Sequence, residues 1–325
     1  MTTSIFIDGA EGTTGLQIRI RLEGRDDISL LTLSDSDRKD SDKRRAMLNA
    51  SDIAILCLPD AAAIDAVAMI DNPDVRVIDA STAHRIADGW DYGFPEMDAG
   101  HAAIIASSKR VANTGCYAVA SIAMLHPLVS DGVIPADWPI SINAVSGYSG
   151  GGKKMIAGFE DTSAPDPIDD TFFAYGLGLA HKHIPEIVKW SGLKTNPLFV
   201  PSVAKYRQGM LVQIPLHLSA LPGTPSPADV HDILASHYEG RRFVTVADLV
   251  QGDSSPKLSP EAENGTNDLR LHVFANTDGT QAVVMGVLDN LGKGASGQAV
   301  QCLNLSCGLP INTGFGHHEQ CAEPS

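Results

Sequence analysis

The sequence predicts an α/β protein: a doubly wound, Rossmann-type parallel sheet and an α+β second domain built on a mixed or antiparallel sheet. Three observations carry this expectation. Through the first third of the chain, short and almost wholly apolar runs alternate with helical stretches, the pattern of a parallel sheet covered on both faces. From residue 140 the strand-like runs become longer and more alternating, as antiparallel strands with one solvated face do. A length of 325 residues suits two domains.

Taken in order, residues 4–7 read as a strand, followed by a glycine-rich turn and an amphipathic helix over 16–22. Residues 28–33 form the next strand. The run 52–58 (DIAILCL) is closed by Pro59 ahead of a helix over 61–70, and 75–80 (VRVIDA) repeats the strand pattern. An apolar helical run covers 118–129. Later strands fall at 140–145, 210–218, 269–276 and 280–288, the last two flanking the hairpin signal NTDG. Ser226-Pro227 followed by Asp229 opens a helix, with the hydroxyl as cap and proline in the first turn. Residues 295–309 are helical and close near Gly308, whereas the tail 314–325 has no periodicity and is expected to be mobile.

Charge and composition exclude whole classes of partner. The 24 basic and 39 acidic residues give a net charge of −15, the opposite of the basic footprint that nucleic acid requires. No run of about eighteen apolar residues could span a bilayer. The opening MTTSIFIDGA shows no basic segment, long apolar stretch or cleavage site of a signal peptide. Five irregularly spaced cysteines fit a reducing compartment. A cytoplasmic protein without membrane or nucleic-acid partners is expected.

Several segments carry chemistry. Gly9, Gly12, Thr13, Thr14 and Gly15 lie between the first strand and first helix, where glycines let the backbone approach a pyrophosphate favoured by the helix N-terminus. The spacing is GxxGxxG rather than GxGxxG. The second strand ends at Ser34 with Arg38 and Lys39 beyond it, a hydroxyl and cations suited to a 2′-phosphate, interleaved with Asp35 and Asp37. The reading leans to NADP. Cys116 stands at the start of an apolar helix, whose dipole stabilises a thiolate. A thiolate needs an acid or base beside it, and His181-Lys182-His183-Ile184-Pro185-Glu186 offers two imidazoles and a carboxylate. The alternate histidines lack a third metal ligand of suitable spacing, and the metal-like residues 317–321 (HHEQC) fall in the aperiodic tail, so no metal is expected. The stretches 146–154 (SGYSGGGKK) and 292–297 (GKGASG) combine glycines with lysines, as anion-binding backbone nests do.

Six ordered motifs, DASTAHR, YGFPE, VANTGCYAVAS, AVSGYSGGGKK, GLAHKHIPEI and NLGKGASGQAVQ, resemble those of N-acetyl-gamma-glutamyl-phosphate reductases, and fit the shorter subclass best. The related aspartate-semialdehyde dehydrogenases share the architecture. The likeness runs from Ile5 to about Leu309. It implies NADPH-dependent reductive dephosphorylation of an acyl phosphate in arginine biosynthesis, with Cys116 as nucleophile, His181 as acid/base and Glu186 as an orienting or substrate-binding carboxylate. It further implies that Arg85 binds the substrate phosphate and that Asn290 lies near the nicotinamide; Ser146 and Gly147 of the first glycine nest are expected on the cofactor as well. Tyr206 and Arg207 are the expected contacts of the substrate carboxylate. The last helix returns to the first domain in that fold, which divides the chain into a cofactor domain of residues 1–115 plus 292–325 and a catalytic and oligomerisation domain of 116–291. A homo-oligomer, dimer or tetramer, is expected. The sequence departs from the longer subclass at Ala118, where proline is common, and at Ala83-His84, which replace aspartate-phenylalanine. Two alternatives stand beside this reading: a reductase of another acyl phosphate, such as aspartyl or aminoadipyl phosphate, and a non-catalytic dinucleotide-binding sensor.

Overall fold

A computed structural model describes residues 2–252 and 256–316 of the chain. The elements in order are β1 (Thr3–Asp8), α1 (Thr13–Leu22), β2 (Ile28–Leu31), α2 (Ser41–Ala50), β3 (Ile53–Leu56), α3 (Asp60–Ala68), β4 (Arg76–Asp79), β5 (Asp91–Gly93), α4 (His101–Ser107) and β6 (Arg110–Asn113). There follow α5 (Cys116–Asp131), β7 (Ser141–Gly147), α6 (Gly152–Glu160), β8 (Phe172–Ala174), α7 (Ile184–Ser191), β9 (Leu198–Ala204), β10 (Met210–His217), α8 (Pro227–Tyr238), β11 (Val244–Val246), β12 (Val250–Gln251), β13 (Leu269–Ala275), β14 (Gln281–Leu288) and α9 (Gly297–Ser306).

Two units divide the chain. The first takes residues up to 95, 99–115 and 295–316, and the second takes 96–98 and 116–294. Six parallel strands in the order β2-β1-β3-β4-β6-β5 form the sheet of the first unit. Strand order reverses at β1, between β2 and β3, so the loop after β1 opens at the switch point where such folds bind ligands. Both faces are covered, one by a cluster that joins Ile5, Ile55 and Ile78 to Val300 and Leu303 of α9, the other by a cluster around Phe6, Leu48, Leu56 and Val77. Asp40 caps α2 by accepting the N–H groups of Asp42 and Lys43 at 2.9 and 3.1 Å, and Leu48 is its one buried residue. Full burial of such a leucine contributes about 1.5–3 kcal/mol.

The second unit carries a mixed sheet in the order β11-β13-β14-β10-β7-β9-β8, with β12 also on β13. β13, β14, β10 and β7 are antiparallel neighbour to neighbour, whereas β7 and β9 run parallel. The NTDG turn closes the β13–β14 hairpin, with Gly279 at φ +71°. The box at the start of α8 forms as the spacing predicts, Ser226 Oγ accepting the Asp229 N–H at 3.2 Å and the Asp229 carboxylate accepting the Ser226 N–H at 2.7 Å. α5 is buried along most of its length and packs on α7, α8, β10 and β14.

Boundaries shift where caps decide them. α1 starts at Thr13 rather than 16, because Gly12 serves as its cap. α9 is preceded by a π-helical turn, Gly292–Ser296, and closes on Gly308 at φ +71°. The start of the tail is not loose: Asn304 Nδ2 donates to Thr313 O at 2.8 Å and Phe315 packs on the first cluster. The remainder of the tail, with its HHEQC group, lies outside the described residues. Among the described residues no helix is long and apolar enough to cross a membrane.

Candidate active site

The long segment of the second unit, 116–294, opens with its candidate nucleophile. Cys116 is the first residue of the sixteen-residue α5 and is half-buried, so the positive end of the helix dipole acts on its sulfur. The other cysteines differ: Cys302 is buried, and burial pushes the Cys57 thiol up to about 12.

Tyr117, next along α5, organises the surroundings. Its hydroxyl donates to Ser202 O at 3.2 Å and accepts from the Tyr175 hydroxyl at 3.3 Å. Its ring centroid lies 5.9 Å from that of His181 and 5.9 Å from that of His183. His181 also meets Tyr175 edge-on at 5.8 Å and Phe199 at 5.1 Å. Burial raises the Tyr175 phenol to about 12, against the lowering effect of its hydrogen bond to Tyr117. The structure thus gathers Cys116, Tyr117, Tyr175 and His181 around one aromatic cluster.

Burial, reinforced by the charge of Lys182, pushes the His181 imidazole down to about 4, so it is neutral near pH 7. Its Nδ1 accepts the His183 N–H at 3.2 Å, which leaves the proton of the neutral ring on Nε2. The resulting group is a hydrogen-bond donor. His183 is buried and caps α7, and Glu186 is buried in the first turn of the same helix, where the dipole favours a carboxylate.

The glycine stretch after β7 is built against residues 206–209. Gly147, Tyr148 and Ser149 donate their N–H groups to Gly209, Tyr206 and Arg207 carbonyls at 2.9 Å each. A Cβ at Gly147 would lie 2.5 Å from Arg207 O, so close backbone approach dictates glycine there. Buried Ser146 donates to Gly147 O at 3.0 Å. Asn290 is buried as well, its Oδ1 accepting the Gly209 N–H at 2.7 Å and its Nδ2 donating to Ser149 Oγ at 3.0 Å. The Arg207 guanidinium pairs with Glu160, which also accepts the Tyr148 hydroxyl at 2.9 Å. The Tyr206 hydroxyl is buried without a hydrogen-bond partner among the described residues. In the second glycine stretch the lysine is not an open cation: Lys293 is fully buried and bonded to Glu96 at 2.8 Å, which removes it from the anion-binding groups expected there. Among the described residues no cluster of histidine, cysteine and carboxylate groups could hold a metal ion.

In the first unit, Gly9 has φ +88° and a Cβ there would lie 2.3 Å from Cys57 O, just past β3. A Cβ at Gly15 would lie 2.3 Å from Gly9 O. Both glycines therefore let the loop fold tightly onto the switch point, with Gly12 capping α1 and Thr13 and Thr14 in its first turn. Beside it is a cavity of about 430 Å³, with Phe6, Leu31 and Leu58 on apolar walls and Arg19, Arg38, Lys39 and Arg44 as cations. The lining also carries the carboxylates of Asp8, Glu11 and Asp35, and Glu11 lies 3.4 Å from Arg19 and 3.6 Å from Arg38. Arg38 pairs with Asp35 at 2.9 Å, while Ser34 is exposed outside the cavity and bonds Ser36 Oγ at 2.9 Å. Arg44 pairs with Asp8 at 2.7 Å, a contact the sequence did not signal because α2 is too polar to announce itself.

Arg85 is buried. It donates to the carbonyls of Asn113 (3.0 Å), Ala80 (3.2 Å) and Thr114 (3.4 Å), tying its loop to the segment that leads into α5. The preceding His84 bonds Asp79 at 2.6 Å and stacks on Trp90 at 4.0 Å.

Residues 4–105 match the family model of the semialdehyde dehydrogenase NAD binding domain, and residues 116–290 match that of the semialdehyde dehydrogenase dimerisation domain. A curated N-acetyl-gamma-glutamyl-phosphate reductase 2 of Pseudomonas putida is 52% identical over 307 residues, 94% of this chain and 97% of that protein. The chain belongs to the N-acetyl-gamma-glutamyl-phosphate reductase family. A family member from Brucella ovis is 48% identical over 95% of this chain and its own entire length. Among solved structures, aspartate semialdehyde dehydrogenase II of Vibrio cholerae, complexed with ASA, superposes with a TM-score of 0.67 at 17% identity over 94% of this chain and 98% of that one. Its likeness bears on the fold alone. Family members are oxidoreductases, and the cofactor class is a nicotinamide dinucleotide.

Proposed function

We propose that this protein reduces N-acetyl-gamma-glutamyl phosphate to the semialdehyde with release of phosphate, through a thioester on Cys116, using NADPH. The observation that carries the mechanism is the position of Cys116 at the start of α5, beside a Tyr117 ring that His181 also contacts. The Cys116 thiolate attacks the acyl carbon; the C–S bond forms and the C–O bond to phosphate breaks, expelling phosphate. Splitting the displacement in two is what covalent catalysis contributes. A nicotinamide cofactor held by the glycine loop of residues 9–15 would supply the hydride that reduces the thioester carbon. His181 donates a hydrogen bond from Nε2 to the developing oxyanion, and collapse of that tetrahedral oxyanion re-forms the C=O bond, breaks the C–S bond and releases the aldehyde and the thiolate. Glu186 keeps the imidazole segment in place, and the α5 N-terminus offers backbone donors to the same oxygen.

Gly9, Gly12, Thr13, Thr14 and Gly15 would hold the pyrophosphate, and the apolar slot the adenine. Arg38, with Lys39 and Arg44, would take the 2′-phosphate, which supports NADP over NAD. Ser34, exposed after β2, is proposed to stand with them on the cofactor. Ser146, Gly147 and Asn290 form the interlocked group proposed to face the nicotinamide. Arg85 is the proposed phosphate ligand, and Tyr206 and Arg207 the carboxylate contacts. Residues 1–115 with 292–325 would act as cofactor domain and 116–291 as catalytic domain, in a cytoplasmic homo-oligomer, dimer or tetramer, as the dimerisation-domain match supports. The test is turnover of the acyl phosphate by the purified protein and by Cys116→Ser. A variant with comparable kcat would end the covalent scheme.

A further inference from the structure

We infer that the buried Lys293–Glu96 ion pair is a positioning device for Cys116, acting through the backbone of Gly294; the inference rests on Cys116 being the nucleophile. After β14 the chain turns through Asp289 and Asn290 into the π-helical turn that begins at Gly292. Such turns recur at functional sites. Two groups pin the start of this one. At the front, the buried Asp289 carboxylate accepts the Leu291 N–H at 2.8 Å, Gln208 Nε2 at 2.6 Å and the Gly265 N–H at 3.0 Å. Within the turn, its second residue Lys293 donates from Nζ to Glu96 Oε2 at 2.8 Å, with side-chain exposures of 0% and 3%, and the Phe243 ring lies 5.7 Å from Nζ.

Gly294 follows directly. Its N–H donates to Asp289 O at 3.0 Å, and a Cβ built on it would lie 2.8 Å from Cys116 Cβ and 3.2 Å from Cys116 Cα. The peptide backbone at 294 is therefore the wall behind the reactive residue, in contact with it, and residue 293 is the anchor that fixes where the wall stands. A hydrocarbon pair of equal volume would fill the same space with equal or greater stability, because burying two charges is unfavourable. What hydrocarbon lacks is direction. The ammonium–carboxylate bond fixes the turn along a line that packing alone leaves free to slide, and so sets the reach of the Cys116 sulfur.

The test compares the parent with the Lys293→Met/Glu96→Gln double variant, which removes both charges together, and with Gly294→Ala. Four quantities are measured: melting temperature, NADPH affinity, kcat with KM, and the rate of Cys116 alkylation by iodoacetamide across pH. For a folded double variant the expected result is NADPH affinity and KM within about threefold of the parent, with kcat and the alkylation rate each reduced about tenfold or more. Gly294→Ala should reproduce the loss of kcat and displace the alkylation profile. A folded double variant with parental kcat and parental alkylation overturns the inference, as does unchanged alkylation accompanied by any loss of kcat. If the double variant does not fold, Gly294→Ala decides alone, and parental behaviour there overturns it. Retained turnover in Cys116→Ser would instead end the nucleophile reading, a result the alkylation profiles cannot produce.

Discussion

The Nδ1 atom of His181 accepts the backbone N–H of His183 at 3.2 Å. That bond and the burial of the ring make His181 a neutral donor through Nε2, with its imidazole pushed down to about 4. The kcat profile should therefore show no limb belonging to His181 between pH 5 and pH 8, only a loss on approach to pH 4. Loss of this donor in His181→Asn should lower kcat by roughly 10²–10³. A limb near pH 6.5 that disappears in His181→Asn would contradict the assignment.

The same depressed value has a consequence for stability. The unfolded chain binds a proton near pH 6.5, the folded one only near 4, so stability rises with pH between those values and falls as acid is added. His181→Gln should flatten this part of the curve, measured by urea unfolding at pH 4.5, 5.5 and 7. An equal slope in both proteins would show that the ring is not held in its neutral form.

Cofactor choice turns on the cations beside β1 and β2. Arg38→Leu should raise KM for NADPH about tenfold and leave that for NADH within about twofold, since about 1.4 kcal/mol of contact to the 2′-phosphate is tenfold. Equal changes for both cofactors would remove Arg38 from that contact.

Arg85 serves the fold whatever else it does. Its three bonds to carbonyls predict that Arg85→Leu lowers stability by about 1.5–3 kcal/mol for each charge-assisted bond not replaced by water, read by thermal melting. KM for the acyl phosphate should rise as well. An unchanged KM in a folded variant would leave Arg85 as a fastening of the loop alone.

Much of this was legible in the sequence, for reasons that particular residues make plain. β1, β3 and β4 are apolar on both faces, and a doubly covered parallel sheet writes that directly into Ile, Val and Leu. α2 was silent because one buried residue, Leu48, leaves almost no periodicity. β9 was silent because Pro201 interrupts an otherwise plain apolar strand. The candidate nucleophile could be read because a cysteine before a long apolar helix is a local pattern. Lys293 could not, since its partner Glu96 is 197 residues away and a lysine between glycines reads as an anion site until its carboxylate is found. The role of Gly147 was hidden for a similar reason, a close approach to Arg207 O from a distant segment.

The most direct test of the account mixes the acyl phosphate with enzyme in the absence of any nicotinamide and quenches within the first turnover. The account predicts a burst of about one equivalent of phosphate and a matching acyl mass increment on the peptide carrying Cys116, both absent in Cys116→Ser. Phosphate released without acylation of that peptide, or an equal burst from the serine variant, would contradict it.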